Sequence, residues 1–74
     1  MPYRLHELRR NARYTVEEDN GAGWKGCAFV ELDGGTFSVY SIDRLDEPVL
    51  TGYRTPDDAL DAYQEWREDA GAMR

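Results

Sequence analysis

Few side chains in this 74-residue chain can do chemistry, and their spacing decides whether they do. His6 is the single histidine and Cys27 the single cysteine. Side by side, an imidazole could take the thiol proton and leave a nucleophilic thiolate. The plainer alternatives are a solvated histidine in a basic segment and a mid-strand cysteine acting as a small apolar side chain. Zinc needs His, Cys or carboxylate ligands converging at short spacings, and that pattern is absent. Asp43, Asp46 and Glu47 share a loop without the twelve-residue calcium pattern or its central glycine. Gly21, Gly23 and Gly26 precede no helix start, so they do not read as a phosphate cradle. The expectation is a non-catalytic chain with no metal and no cofactor.

The carboxylates near the C-terminus are a different case. Asp57, Asp61 and Glu65 stand four apart, flanked by Asp58, Glu68 and Asp69, with Arg67 the one cation among them and no lysine. On a helix, neighbours of like sign at that spacing repel by ~0.2–0.5 kcal/mol a pair. Glu68 and Asp69 also fall at the negative end of the dipole, where cations are preferred. One account is an acidic surface typical of a lysine-poor proteome. The other is that carboxylates one turn apart imitate a row of phosphates and enter an Arg/Lys groove. On that account Asp57, Asp58, Asp61, Glu65, Glu68 and Asp69 are the partner-binding residues, and the partner is the basic surface of a nucleic-acid-binding protein.

The element that presents these acids is legible in RTPDDALDAYQEWREDAG, residues 54–71. Thr55 is an N-cap, Pro56 occupies the first helical position, and Asp57 and Asp58 suit the positive end of the dipole. Leu60, Tyr63, Trp66 or Arg67, and Ala70 recur at helical spacing, and Gly71 is a natural stop. Trp66 and Tyr63 fall on the inward stripe; Trp24 is a candidate exposed anchor. Ahead of the helix, Trp24–Asp33 and Thr36–Asp43 flank Gly34-Gly35, a hairpin signal. A two-residue loop pairs Leu32 with Phe37, Val30 with Val39 and Ala28 with Ser41. That register makes Ala28, Val30, Leu32, Phe37 and Val39 an apolar face for the helix. Cys27, Phe29, Glu31, Ser38, Tyr40 and Ile42 go to the other face, half of it apolar and in need of cover.

Tyr14 and Val16 alternate with polar neighbours as an earlier strand, and Val49–Tyr53 reads as a last one, with Gly52 marking a bulge or an edge. Leu5 and Leu8 at helical spacing predict a short N-terminal helix over Pro2–Asn11. The expected fold is α+β: an antiparallel sheet of three to four strands, the C-terminal helix packed on one face, and a short N-terminal helix.

At 8.5 kDa residues 1–74 form one domain with one core, modest in stability unless it pairs, which leaves room for a homodimer. The net charge of −6 is unevenly spread. Residues 1–14 hold four arginines against Glu7, net +3, and the remainder holds five cations against fourteen acids, net −9. An acidic body repels phosphates, which argues against direct nucleic-acid binding through it. No run approaches a membrane span, no leader pattern is present, and one cysteine suits a reducing cytoplasm.

Tyr53, Thr55, Ala59, Ala62 and Tyr63 resemble the last strand and helix of the ethylene-response-factor type of DNA-binding domain and its phage-integrase relatives. The resemblance implies a sheet with a helix laid on it. That family reads DNA with sheet arginines and tryptophans, whereas Glu31, Ser38 and Tyr40 occupy the outer face here. In size, acidity and lack of catalytic groups the chain is also similar to small acidic phage-encoded inhibitors of the anti-CRISPR or DNA-mimic kind. That likeness implies stoichiometric inhibition of a nucleic-acid-handling complex in the cytoplasm of a bacterial host. The rival expectations are a DNA-binding or regulatory module using Arg4, Arg9, Arg10 and Arg13, and a structural dimerisation domain.

Overall fold

A computed structural model describes the backbone of residues 3–72 and the side-chain surroundings of residues 3–69. Five strands, β1 (Tyr3–Arg9), β2 (Arg13–Asp19), β3 (Trp24–Asp33), β4 (Thr36–Ser41) and β5 (Leu50–Tyr53), precede one helix, α1 (Pro56–Ala72). All neighbouring strands are antiparallel and lie in chain order, β1-β2-β3-β4-β5, with α1 laid across one face. The α+β class holds, with five strands where three to four were expected.

The central hairpin has the register that the Gly34-Gly35 loop predicts: Leu32 opposite Phe37, Val30 opposite Val39, Ala28 opposite Ser41. Both glycines take positive φ, 60° and 90°, as a two-residue turn between twisted strands requires. Val16, Ala28, Val30, Phe37 and Val39 bury against Ala59 and Tyr63 of α1 to form the core. Leu32 is the exception on that face. It lies at the hairpin tip, 42% exposed, where Leu8 and Ala12 make only a shallow cleft with it.

No N-terminal helix forms. Of the residues expected to make it, Pro2 lies outside those described, and Tyr3–Arg9 form β1 along the edge of β2. Leu5 pairs with Val16 and Tyr3 with Glu18, so the operative pattern is the period-two alternation of Tyr3 and Leu5 with Arg4 and His6. Two leucines cannot hold a short isolated helix against a strand edge offering backbone hydrogen bonds to every second residue. Asn11, at φ 56°, makes the turn back into β2, and its N–H donates to the Glu7 carboxylate at 3.2 Å.

A second correction concerns Cys27. Val16 pairs with Ala28 but Glu17 pairs with Gly26, so β3 carries one extra residue there. The bulge resets the alternation. Instead of facing outward with Phe29, the thiol donates to the Val16 carbonyl at 3.4 Å and accepts the Tyr63 hydroxyl at 3.5 Å. Gly52, at φ 88°, marks another bulge, where β5 places Thr51 and Gly52 opposite the single Ser38. β5 is also an edge strand, so both readings of that glycine apply.

A candidate partner-binding surface

The helix starts as its sequence demands. The Asp58 N–H donates to Thr55 Oγ1 at 3.1 Å, and Pro56 takes the first helical position, where no N–H is needed. Ala59 and Tyr63 face the sheet; the Tyr3 ring meets Tyr63 edge-on, with centroids 5.6 Å apart. The helix does not stop at Gly71 but runs on to Ala72. Trp66, expected inside, packs beside Tyr63 at 5.9 Å and stays 38% exposed. It is at once a core flank and a surface ring.

With Ala59 and Tyr63 inward, Asp57, Asp58, Asp61, Glu65, Glu68 and Asp69 are all exposed. Asp69 extends the four-residue column, so 57, 61, 65 and 69 form one line of acids along the helix. The structure brings all six onto one solvent-facing surface. Among the described residues the ion pairs are Arg4 with Glu17 at 2.8 Å and Arg44 with Glu47 at 3.4 Å, and neither involves these acids. Arg67, the single cation in the run, lies toward Tyr3 and Tyr63, whose ring oxygens raise its pKa. One local contact is made, from the Gln64 amide to Asp61 Oδ1 at 3.5 Å. Asp57 to Asp69 spans about 18 Å at 1.5 Å rise per residue, so six carboxylates give about one charge per 3 Å of axis. Allowing for Arg67, the spacing is about 3.6 Å, close to the ~3.4 Å per charge of a single DNA strand.

The basic N-terminal residues also form a surface, one that their expected helix could not have made. Pairing places Arg4, His6 and Arg9 of β1 with Arg13, Thr15 and Glu17 of β2 on the sheet face away from α1. Arg4 lies 4.2 Å above the Trp24 ring, and Arg13 lies 5.2 Å above Phe29. These cation–π contacts half-cover the outer aromatics. The period-two spacing of Arg4 and His6 was the available signal, and Leu5 with Leu8 masked it. The sheet therefore stands between the arginines on the hairpin's outer face and the anionic helix, which keeps the two from neutralising each other.

The remaining candidates do not assemble into a catalytic centre. His6 faces outward and Cys27 toward α1, so sheet backbone separates them. Burial pushes the Cys27 thiol above its ordinary pKa, the reverse of what a nucleophile needs. Burial also raises Tyr63, and then the thiol it bonds to raises it further. Asp43, Asp46 and Glu47 are exposed, and no cluster of His, Cys, Asp or Glu among the described residues is arranged to hold a metal. No described helix is long and apolar enough to cross a membrane. No protein-family model matches the sequence, and no curated protein or solved structure is detectably similar to it.

Proposed function

We propose that this chain is a non-catalytic binding protein that inhibits a bacterial nucleic-acid-handling complex from within the host cytoplasm, in the manner of an anti-CRISPR. Its acidic helix occupies an Arg/Lys groove that otherwise holds nucleic acid. The observation that carries this reading is the column Asp57, Asp61, Glu65 and Asp69, with Asp58 and Glu68 beside it, in no ion pair among the described residues and at the charge density of a single DNA strand. Had these carboxylates folded back onto arginines of their own chain, the resemblance to phosphates would be lost. The self-repulsion they retain is released when a cationic groove closes over them. The test is recovery from a bacterial lysate by immobilised protein. The wild type is expected to retain one nucleic-acid-handling complex and to block its target binding, and the Asp61→Lys, Glu65→Lys double variant to do neither. Normal binding and inhibition by the double variant would refute the mechanism.

A second reading has one observation in its favour, the Arg4–Trp24 and Arg13–Phe29 stacks on the open sheet face. Arginine planes and aromatic rings are what unpaired bases stack upon. Glu17 and Glu31 share that face and oppose phosphates. A salt titration with single-stranded DNA separates the two readings, since measurable affinity with a steep slope at low salt would favour the hairpin.

A further inference from the structure

Between the loop that follows β4 and the C-terminal half of α1 lies a cleft of about 260 Å³, lined by Arg44, Glu47, Pro48, Val49 and Trp66. Of this lining Pro48 and Val49 are half-buried, the Trp66 ring is partly open to solvent, and the exposed Arg44–Glu47 ion pair adds charge beside them. An apolar cavity of ~150 Å³ already accommodates a benzene ring. This cleft has room for one large apolar side chain. It also borders the acids: Asp69 stands one turn beyond Trp66 on the same side of the helix, and Glu65 precedes it. An apolar slot rimmed by charge is the usual anatomy of an interface anchor site.

We infer that this cleft takes one aromatic or branched aliphatic side chain from the cationic partner segment that lies along the acidic helix. The inference rests on the acidic-helix reading and narrows the partner, from any Arg/Lys surface to one with an apolar anchor set among its cations. Charge complementarity fixes the flanking residues. An apolar side chain entering beside Trp66 brings its neighbours toward Asp69 and Glu65, both exposed and able to accept from Arg or Lys, while Glu47 is already paired with Arg44. The anchor also accounts for a tryptophan left 38% exposed beside a run of acids.

Three synthetic peptides test it at low salt: GRKFRKG, GRKARKG, and an acidic version, GEEFEEG. Binding is read from amide and indole NMR shifts of the whole protein. GRKFRKG is expected to bind about tenfold tighter than GRKARKG and to show contacts from its ring protons to the Trp66 indole and the Val49 methyls. Trp66→Ala should abolish the preference while both basic peptides still perturb the helix. The ring contacts are read on wild-type protein, so the test survives if that variant does not fold. Equal affinities, with shifts confined to residues 57–69, would overturn the cleft inference and leave the acidic helix standing. Equally tight binding of GEEFEEG would overturn the cationic character of the occupant. If GRKARKG leaves the helix unperturbed, the acidic-helix reading itself fails.

Discussion

Replacing Asp61 and Glu65 by lysine should make the free protein more stable. Five like-charge contacts run along the exposed side of α1: Asp57–Asp61, Asp61–Glu65 and Glu65–Asp69 at four residues, Asp58–Asp61 and Glu65–Glu68 at three. In the double variant four of them become attractive, and the 61–65 contact stays repulsive. Each pair is worth ~0.2–0.5 kcal/mol in either sign, and solvent exposure holds the total toward the lower end. The net gain is on the order of 1–2 kcal/mol at low ionic strength, less a small loss from the 3.5 Å Gln64–Asp61 contact. For a domain of this size that is a rise in Tm of about 5–10 °C. Thermal melts in 10 mM and 1 M salt supply the check, because screening shortens from ~30 Å to ~3 Å between them and should remove most of the difference. A variant that melts at or below the wild type in 10 mM salt would show that these carboxylates are already satisfied. A gain that persists at 1 M would show that something other than charge produced it. Either result removes the physical basis for a helix that is strained until bound.

Thr55→Ala deletes the oxygen that the Asp58 N–H donates to and should cost about 1 kcal/mol in urea unfolding; Thr55→Ser should cost far less. Cys27→Ala leaves the Tyr63 hydroxyl without its buried partner, at about 1–3 kcal/mol, and adding Tyr63→Phe should recover part of that loss. Additive losses in that cycle would mean the 3.5 Å contact carries no energy. Stability should also fall in alkali. Tyr3, Tyr14, Cys27 and Tyr63 all titrate higher in the folded protein than in the unfolded chain, chiefly through burial. Above about pH 8.5 the unfolded chain therefore releases protons first, and unfolding free energy should decline through pH 9–11 after a plateau near neutrality. A flat profile over that range would refute the shifts. The same burial predicts that iodoacetamide labels native Cys27 more slowly than the unfolded thiol at pH 8, and equal rates would place the thiol in solvent.

What the sequence discloses about this fold follows the reach of each local signal. The hairpin register was legible because Gly34-Gly35 fixes it within two residues, and parity carries it along both strands. The helix start was legible because Thr55, Pro56, Asp57 and Asp58 all act within one turn. Signals that need a distant partner misled. Leu5 and Leu8 have helical spacing, but Leu5 is held by Val16, eleven residues further on. Cys27 shows no local sign of its bulge, which arises from how β2 pairs and which aims the thiol at Tyr63. The acidic column was readable from Asp57, Asp61 and Glu65, since it depends only on helical period, and Asp69, read as a flanking acid, falls on the same line. The cleft beside Trp66 was not, because it joins a loop to a helix that follows it in the chain.

One sheet and one helix impose a geometric constraint on where charge can go. The helix covers only one side of the sheet, so each strand must send alternate residues to solvent, and the cations of the N-terminal hairpin are carried to the far side. Had residues 3–9 been a helix, no strand register would have held Arg4, His6 and Arg9 on the face opposite α1, and they would have been free to approach its acids. With these residues in a strand, Arg4 is instead tied to Trp24 and Glu17, and the neighbouring strand's Arg13 to Phe29. Pairing β1 with β2 therefore does more than add an edge. It withdraws the chain's largest cluster of arginines from the helix and leaves the acidic column, an expensive arrangement for a free protein, exposed to solvent.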